Sequence, residues 1–462
     1  MLIENLSEES EVGDSRNLSV YEQKIKDEFY GLCSKCNQSK TEYYWCQYCF
    51  SKHFQSNFDK WTSGNEYVDK FIQETQLKGR NPAEILEWIP YSRLRNIQNI
   101  AKGGFSTIYK AIWLGGRIMF FFGDEEIRDS IKIKDVDYEN AKIDGIKLPL
   151  QEHEKNGSYV ALKSLNNSSN IRKEFFNEWE NYLRFLYEAK NAGSNYFNIY
   201  GMTQDPKTLD YMIVMDYLKI GSLRSNLMIK KYNPNDKYTD LCEIAESLSG
   251  LHKCNLVHGD FHSGNLLFDD KLRCHISDFG LSKPANANSD EIFGILPYVA
   301  PEVLIRKPYT KAADIYSFGI IMWEFTSGIP AFNDRVHNFE LALEIHNGHR
   351  PKVIEDTDPD YVNLMKKCWN NDPNERPTAE ELILELNKLQ SKYPIERDNR
   401  IEVPENAPVI KDHPLSCYRS RKIDSFTNEN IVHEDTNSNY DMENSVDINL
   451  YLNDEIIETI ED

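Results

Sequence analysis

The chain has 462 residues, 40% of them hydrophobic, with a formal net charge of −21 and a pI near 5.1. That is enough apolar material for two or three domains with real cores, and so acidic a surface argues against general affinity for nucleic acids or anionic membranes. Met1–Glu11 carries four glutamates and no basic, apolar leader, and no apolar run approaches the roughly 20 residues of a membrane span; a soluble cytoplasmic protein is expected, with the nucleus left open.

Residues 1–30 are polar and acidic, which predicts a flexible N-terminus. Residues 31–60 hold Cys33-x-x-Cys36 and Cys46-x-x-Cys49, nine residues apart, among aromatic side chains. Two such knuckles supply four thiolates suited to one tetrahedral Zn²⁺, and so short a segment could hardly fold without the metal. Reduced, unliganded cysteines or redox pairs are the alternative. Lys35, Lys40 and Lys52 form no dense basic patch, so nucleic-acid binding is a minor reading of this module beside binding a protein partner, organising a dimer or capping the amino-terminal side. His53 is read as a surface residue, and Cys242, Cys254, Cys274, Cys368 and Cys417 as scattered reduced thiols. Within 61–90, Val68, Phe71, Ile72 and Leu77 predict a connecting helix, broken at Asn81-Pro82.

A large block follows over 91–392. Its first part predicts strands at Ile97–Ala101, Thr107–Trp113, Tyr159–Leu165 and Tyr211–Tyr217. Its second part predicts helices at Lys237–Lys253, Lys311–Thr326, Glu340–Asn347 and Ala379–Ser391. A strand-rich part followed by a helix-rich part implies a bilobal α+β fold. The stretch 114–158 is an insertion, in which Ile118–Phe122 is expected to continue the second strand and the remainder to be disordered. Residues 393–462 are expected to form a disordered acidic tail, since Glu434–Asp462 holds ten acidic residues and no Lys or Arg.

Four motifs carry chemistry. Ala101-Lys102-Gly103-Gly104-Phe105-Ser106 lies between two strands, where small residues let backbone amides approach phosphates closely. Val160-Ala161-Leu162-Lys163 ends in a lysine after apolar neighbours, a point cation suited to neutralising phosphates. The run His258-Gly259-Asp260-Phe261-His262-Ser263-Gly264-Asn265 is followed by Asp278-Phe279-Gly280. Two carboxylates and an amide at that spacing suit Mg²⁺ binding and the orientation of an acceptor hydroxyl. Ala300-Pro301-Glu302 and Glu375-Arg376-Pro377 complete the order.

In this order the motifs resemble the eukaryotic protein kinase domain, nearest the tyrosine-kinase-like serine/threonine kinases, over about two-thirds of the chain. The resemblance implies a small β-rich lobe, a larger helical lobe and a nucleotide between them. Asp260 would then accept the substrate hydroxyl proton, and Asn265 and Asp278 would carry Mg²⁺. Lys163 would pair with Glu178, ahead of Glu174 and Glu180. Ala101, Gly103, Gly104, Ser106, Ile108, Ala161, Leu267, the gatekeeper Met215 and the Asp216–Leu218 backbone would surround ATP. Glu302 would pair with Arg376, and Asp314 would hold the catalytic loop from below, both structural roles.

Three positions depart from the pattern. Gly259 replaces an arginine that pairs with an activation-loop phosphate, so activity is expected to depend weakly on phosphorylation of Ser282 or Ser289. His262 replaces a lysine that contacts the γ-phosphate, and Ile295 a threonine near the catalytic aspartate. An inactive scaffold, or a tyrosine or dual-specificity kinase, are the alternatives to a serine/threonine kinase acting on proteins with ATP and Mg²⁺. Partner contacts through the Cys module or the tail, and autoinhibition by the acidic tail as a substrate mimic, stay open.

Overall fold

The computed structural model describes residues 30–102, 106–122, 125–132, 156–165, 168, 176, 183, 197–286, 291–393, 402–404 and 411–423. The Cys-rich module leads into helix α1 (Gln47–Gln55), whose Phe50 and Phe54 turn inward. Trp45 stacks on Phe50 with ring centroids 3.6 Å apart. Its indole N–H donates to Gly79 O at 3.1 Å, while Thr41 Oγ1 donates to Arg80 O at 2.6 Å. Those carbonyls follow helix α2 (Glu66–Lys78), which Asn65 caps by accepting from the Tyr67 and Val68 amides. Strand β1 (Glu87–Trp88) comes next.

The segment expected to be a linker is therefore part of the small lobe. Ile85 joins Trp45, Phe50, Phe54 and Ile118 in one apolar cluster, and β1 pairs in parallel with β8 (Ile199–Gln204). Gly201 permits that pairing, because a Cβ there would lie 1.9 Å from Glu87 O. The helix expected here is α2, with Val68, Phe71 and Ile72 buried, and the chain turns at Asn81-Pro82 as expected; what local sequence did not show is the packing of Ile85 against Trp45 and Ile118.

The sheet continues through β2 (Leu94–Lys102), β3 (Ser106–Leu114), β7 (Asn156–Leu165) and β9 (Tyr211–Asp216), in the order β1-β8-β9-β7-β3-β2. Its core face gathers Leu94, Trp113, Val160, Leu162, Met212 and Val214. Burial of each such large apolar side chain contributes roughly 1.5–3 kcal/mol.

The insertion also departs from expectation. Gly115 and Gly116, at φ 83° and 63°, turn the chain after β3. Ile118–Phe122 therefore belongs to a separate strand, β4 (Arg117–Phe122), paired with β5 (Glu125–Asp129) and not an extension of the second strand. The Arg128 guanidinium lies 3.0 Å from the Glu87 carboxylate and donates to Gly116 O at 2.7 Å, fastening this hairpin to β1. β6 (Ile131–Lys132) then pairs with β7.

In the large lobe, β10 (Gly221–Ser222) opens α3 (Leu223–Tyr232), with the Ser222 hydroxyl as cap. Helix α4 (Asp236–Lys253) follows, then β11 (Leu256–Val257), β12 (Leu266–Phe268), β13 (Cys274–Ile276), β14 (Lys283–Pro284) and β15 (Ile292–Gly294). Helix α5 (Lys311–Ser327) is apolar on nearly every side and buried from Ala313 to Phe325, as a central helix must be. Gly319 lets it approach α7 (Pro359–Cys368) closely, because a Cβ would meet Cys368 Cβ at 2.9 Å. α6 (Phe339–His346) and α8 (Ala379–Lys392) complete the lobe, the latter started by a Thr378–Glu381 capping box. The result is a β-sheet lobe followed by a helical lobe.

The tail gives the last correction. Lys411–Ile423, inside the stretch expected to be disordered, is ordered, and its β16 (Arg421–Ile423) pairs antiparallel with β15. The acidic stretch 434–462 and the N-terminal residues 1–29 lie outside the described residues. Among the described residues no helix is long and apolar enough to cross a membrane.

Candidate active site

The run His258–Asn265 bridges β11 and β12 on the surface facing the sheet lobe. Asp314, buried at the start of α5, holds its backbone. One Asp314 oxygen accepts from His258 N at 2.8 Å and His252 Nε2 at 2.9 Å, and the other from Gly259 N at 3.1 Å. Gly259 takes φ 75°, and a Cβ there would sit 2.8 Å from Leu281 O. In front of it lies Lys283, whose ammonium packs 3.7 Å from the Tyr309 ring centroid.

Asn265 Nδ2 donates to Asp260 O at 2.9 Å, and Asn265 O accepts from Ser277 N at 2.8 Å. The loop and the Asp278-Phe279-Gly280 motif are thereby locked together. Asp278 adopts φ 61°, a left-handed backbone that aspartate tolerates better than most residues. Its Oδ1 lies 2.6 Å from Lys163 Nζ. Burial raises the Asp278 pKa, but the adjacent ammonium outweighs this and leaves it below the usual carboxylate value.

Lys163 reaches Asp278 from β7, across from Ile108 on β3 and Ile213 on β9. Ala101 pairs with Ile108, and Ala161 with Lys110 and Met215, so these residues form one continuous patch of sheet. Leu267 lies on β12, opposite Ser222 and His275. Ser106 starts β3. At Asp216 the expectation narrows. Its N–H is engaged, donating to Asn198 O at 3.0 Å, and its carboxylate accepts from Asn198 N, Asn198 Nδ2 and Tyr200 Oη. Gly103, Gly104 and Glu178 lie outside the described residues. Phe176, two residues before Glu178, stacks on Phe71 of α2 at 4.5 Å.

His262 is buried beside Asp260, its Nε2 3.6 Å from Asp260 Oδ1. Its Nδ1 accepts from Gly264 N at 3.1 Å and faces Arg224 Nη2 at 3.3 Å, which assigns the ring proton to Nε2. Burial pushes the His262 pKa down, outweighing the pull of Asp260. A neutral imidazole therefore cannot replace a lysine's charge near neutral pH. For Asp260, burial raises the pKa, but the His262 ring and the Ser420 hydroxyl together bring it below the usual value.

An unfolded His262 regains its ordinary pKa of 6.5, so below that value the unfolded chain binds more protons and stability drops as the pH is lowered. His262→Gln is expected to be less acid-sensitive than wild type in urea melts between neutral pH and the lowered folded pKa. An identical pH dependence in the two proteins would contradict this.

Glu302 and Arg376 form a buried bidentate pair, both bonds 2.7 Å, and Arg376 Nη1 also donates to Ala312 O. Ile295 is buried beside Gly294, where a Cβ would stand 3.5 Å from Asp260 Oδ1. Sequence reasoning missed two residues that meet this site, Arg224 beside His262 and Ser420 beside Asp260. Ser420 Oγ donates to Asp260 Oδ2 at 2.5 Å. The available signal was local: Arg419-Ser420-Arg421-Lys422 is a basic cluster in an otherwise acidic tail.

In the N-terminal module the Sγ atoms of Cys33, Cys36, Cys46 and Cys49 all lie within 4.8 Å of one another. Cys33–Cys49 is 3.8 Å and Cys36–Cys46 is 3.5 Å. Thiolates about 2.3 Å from a tetrahedral Zn²⁺ would be separated by about 3.8 Å, so the set has the dimensions of a structural zinc site. Burial raises the Cys33 thiol, but the Lys35 and Cys36 amides and the neighbouring sulfurs bring it down to about 7.

Residues 94–386 match the family described as protein tyrosine and serine/threonine kinase, and the chain belongs to that family. It is similar to the serine/threonine/tyrosine-protein kinase HT1 of Arabidopsis thaliana, 28% identical over 221 residues, or 46% of this chain and 56% of that one. It is also 29% identical to the probable serine/threonine-protein kinase drkC of Dictyostelium discoideum, over 50% of this chain and 32% of that one. The tyrosine-protein kinase Mer of Mus musculus matches at 29% over 43% of this chain and 21% of its own length. The chain thus spans from about a fifth to just over half of these relatives.

Proposed function

We propose that the protein transfers the γ-phosphate of ATP to serine or threonine hydroxyls of protein substrates, with Mg²⁺ as the required metal. The 2.6 Å Lys163–Asp278 ion pair carries this reading, because it spans the two lobes at the place where a nucleotide's phosphates and metal would lie. Asp278 and Asn265 are the metal ligands, hard oxygen donors suited to Mg²⁺. Bound there, the metal would neutralise charge on the phosphates. Asp260 orients the acceptor hydroxyl and takes its proton. The drkC relative carries serine/threonine alone in its name, which supports that specificity, while the HT1 name spans serine/threonine and tyrosine. Acid hydrolysis of a protein acceptor phosphorylated by this chain is expected to yield phosphoserine or phosphothreonine; phosphotyrosine alone would overturn the assignment.

The four cysteines hold a structural zinc in this reading. The module packs on α2 and β4, so its metal stabilises the small lobe, while the chemistry stays with Asp260. Elemental analysis is expected to find about one zinc per chain in wild type and a loss of it in Cys36→Ser, with a lowered melting temperature. Metal-free protein with unchanged melting would exclude a structural role.

A further inference from the structure

We propose that Lys411–Ile423 occupies the protein-substrate cleft as an intramolecular substrate, with Ser420 as its phosphoacceptor; this rests on the kinase reading above. The hydroxyl of Ser420 is 2.5 Å from Asp260 Oδ2 and 3.4 Å from His262 Nε2, where an acceptor oxygen has to be for its proton to pass to the carboxylate.

The segment is bound along its length, by contacts that read backbone as well as side chains. β16 pairs antiparallel with β15, Arg421 opposite Gly294 and Ile423 opposite Ile292, which continues the activation segment as a strand. Arg224 Nη1 donates to Tyr418 O at 2.6 Å, and its guanidinium lies over the Tyr418 ring, 5.2 Å from the centroid. Tyr418 Oη donates to Ala331 O at 2.8 Å. The His337 ring meets the Tyr418 ring edge-on at 4.9 Å, and His337 O accepts from Arg421 Nη2 at 2.6 Å. These contacts place a serine at Asp260 with an aromatic residue two positions before it and an arginine after it.

The step balances within the proposed reaction. The Ser420 Oγ–H proton passes to Asp260 Oδ2. The Oγ–P bond forms as the bond from the γ-phosphorus to the β–γ bridging oxygen breaks, and the nucleoside diphosphate departs. The product carries a phosphate of about −1.5 to −2 charge against Asp260, a like-charge contact that expels the segment. Until then Ser420 holds the acceptor position, and exogenous proteins must displace it.

The test is a time course of the full-length chain with Mg-ATP and a basic protein as exogenous acceptor, with Ser420 phosphate followed by mass spectrometry. A tethered acceptor acts at an effective concentration of order millimolar, so the Ser420 rate constant should stay unchanged over about 100-fold dilution of the chain. Exogenous transfer should show a lag that ends as Ser420 fills. Tyr418→Ala loosens the docked segment, so it should slow Ser420 modification and let exogenous transfer begin without waiting for Ser420 to fill. Exogenous transfer with Ser420 unmodified would overturn the proposal, as would a Ser420 rate constant that scales with chain concentration. Transfer to no acceptor at all would overturn the kinase reading and this proposal with it.

Discussion

Asp260→Asn is expected to lower the turnover of γ-phosphate transfer by about 10²–10⁴-fold, the usual contribution of a positioned general base. Its affinity for Mg-nucleotide should stay near that of wild type, because Asp260 faces the acceptor hydroxyl. Asp278→Asn should behave differently. Its carboxylate meets Lys163 at 2.6 Å, and loss of that charge removes the ion pair and, on the proposed function, a Mg²⁺ ligand. Mg²⁺-dependent nucleotide binding, read by calorimetry, should weaken together with turnover. Equal nucleotide affinity in both variants would contradict the division of roles.

The second large effect concerns stability. Glu302→Ala leaves Arg376 buried without its carboxylate, and breaking such a pair typically costs about 3–5 kcal/mol. Domains are stable by about 5–15 kcal/mol in total, so the urea midpoint should fall steeply. Replacement of both residues by apolar ones, Glu302→Leu with Arg376→Met, should recover most of the loss, since no charge is then stranded. A single variant as stable as wild type would show that the pair does not hold the segment after Ala300.

The sequence made the catalytic run readable because Asp260, Asn265 and Asp278 depend on chemistry that few other side chains can supply at that spacing. The large-lobe helices were readable for a different reason. Lys311–Ser327 is apolar on nearly every side, and Ala379–Lys392 has an amphipathic period with a Thr378–Glu381 cap. Reading failed where the deciding partner is remote. Trp45 finds its place against Ile85 and Ile118, which no local period predicts. The Gly115-Gly116 turn redirects Ile118–Phe122 into a hairpin, although the apolar run by itself reads as a continued strand.

Ser420 was hidden more deeply. A three-residue strand has almost no periodicity, and its partners Gly294, Asp260 and Arg224 lie more than a hundred residues away. Composition also misled. The net acidity of the tail suggested an acidic mimic or no structure, whereas the docked stretch carries Arg419, Arg421 and Lys422. The cleft that receives it presents Glu291, which pairs with Lys422.

The most direct test is the incorporation of labelled γ-phosphate from Mg-ATP into an exogenous protein acceptor, by wild type and by Asp278→Asn in parallel. The expected result is steady incorporation by wild type after its lag and essentially none by the variant. No incorporation by wild type, with no stabilisation of the chain by Mg-ATP in a thermal melt, would contradict the account and leave an interaction scaffold in its place.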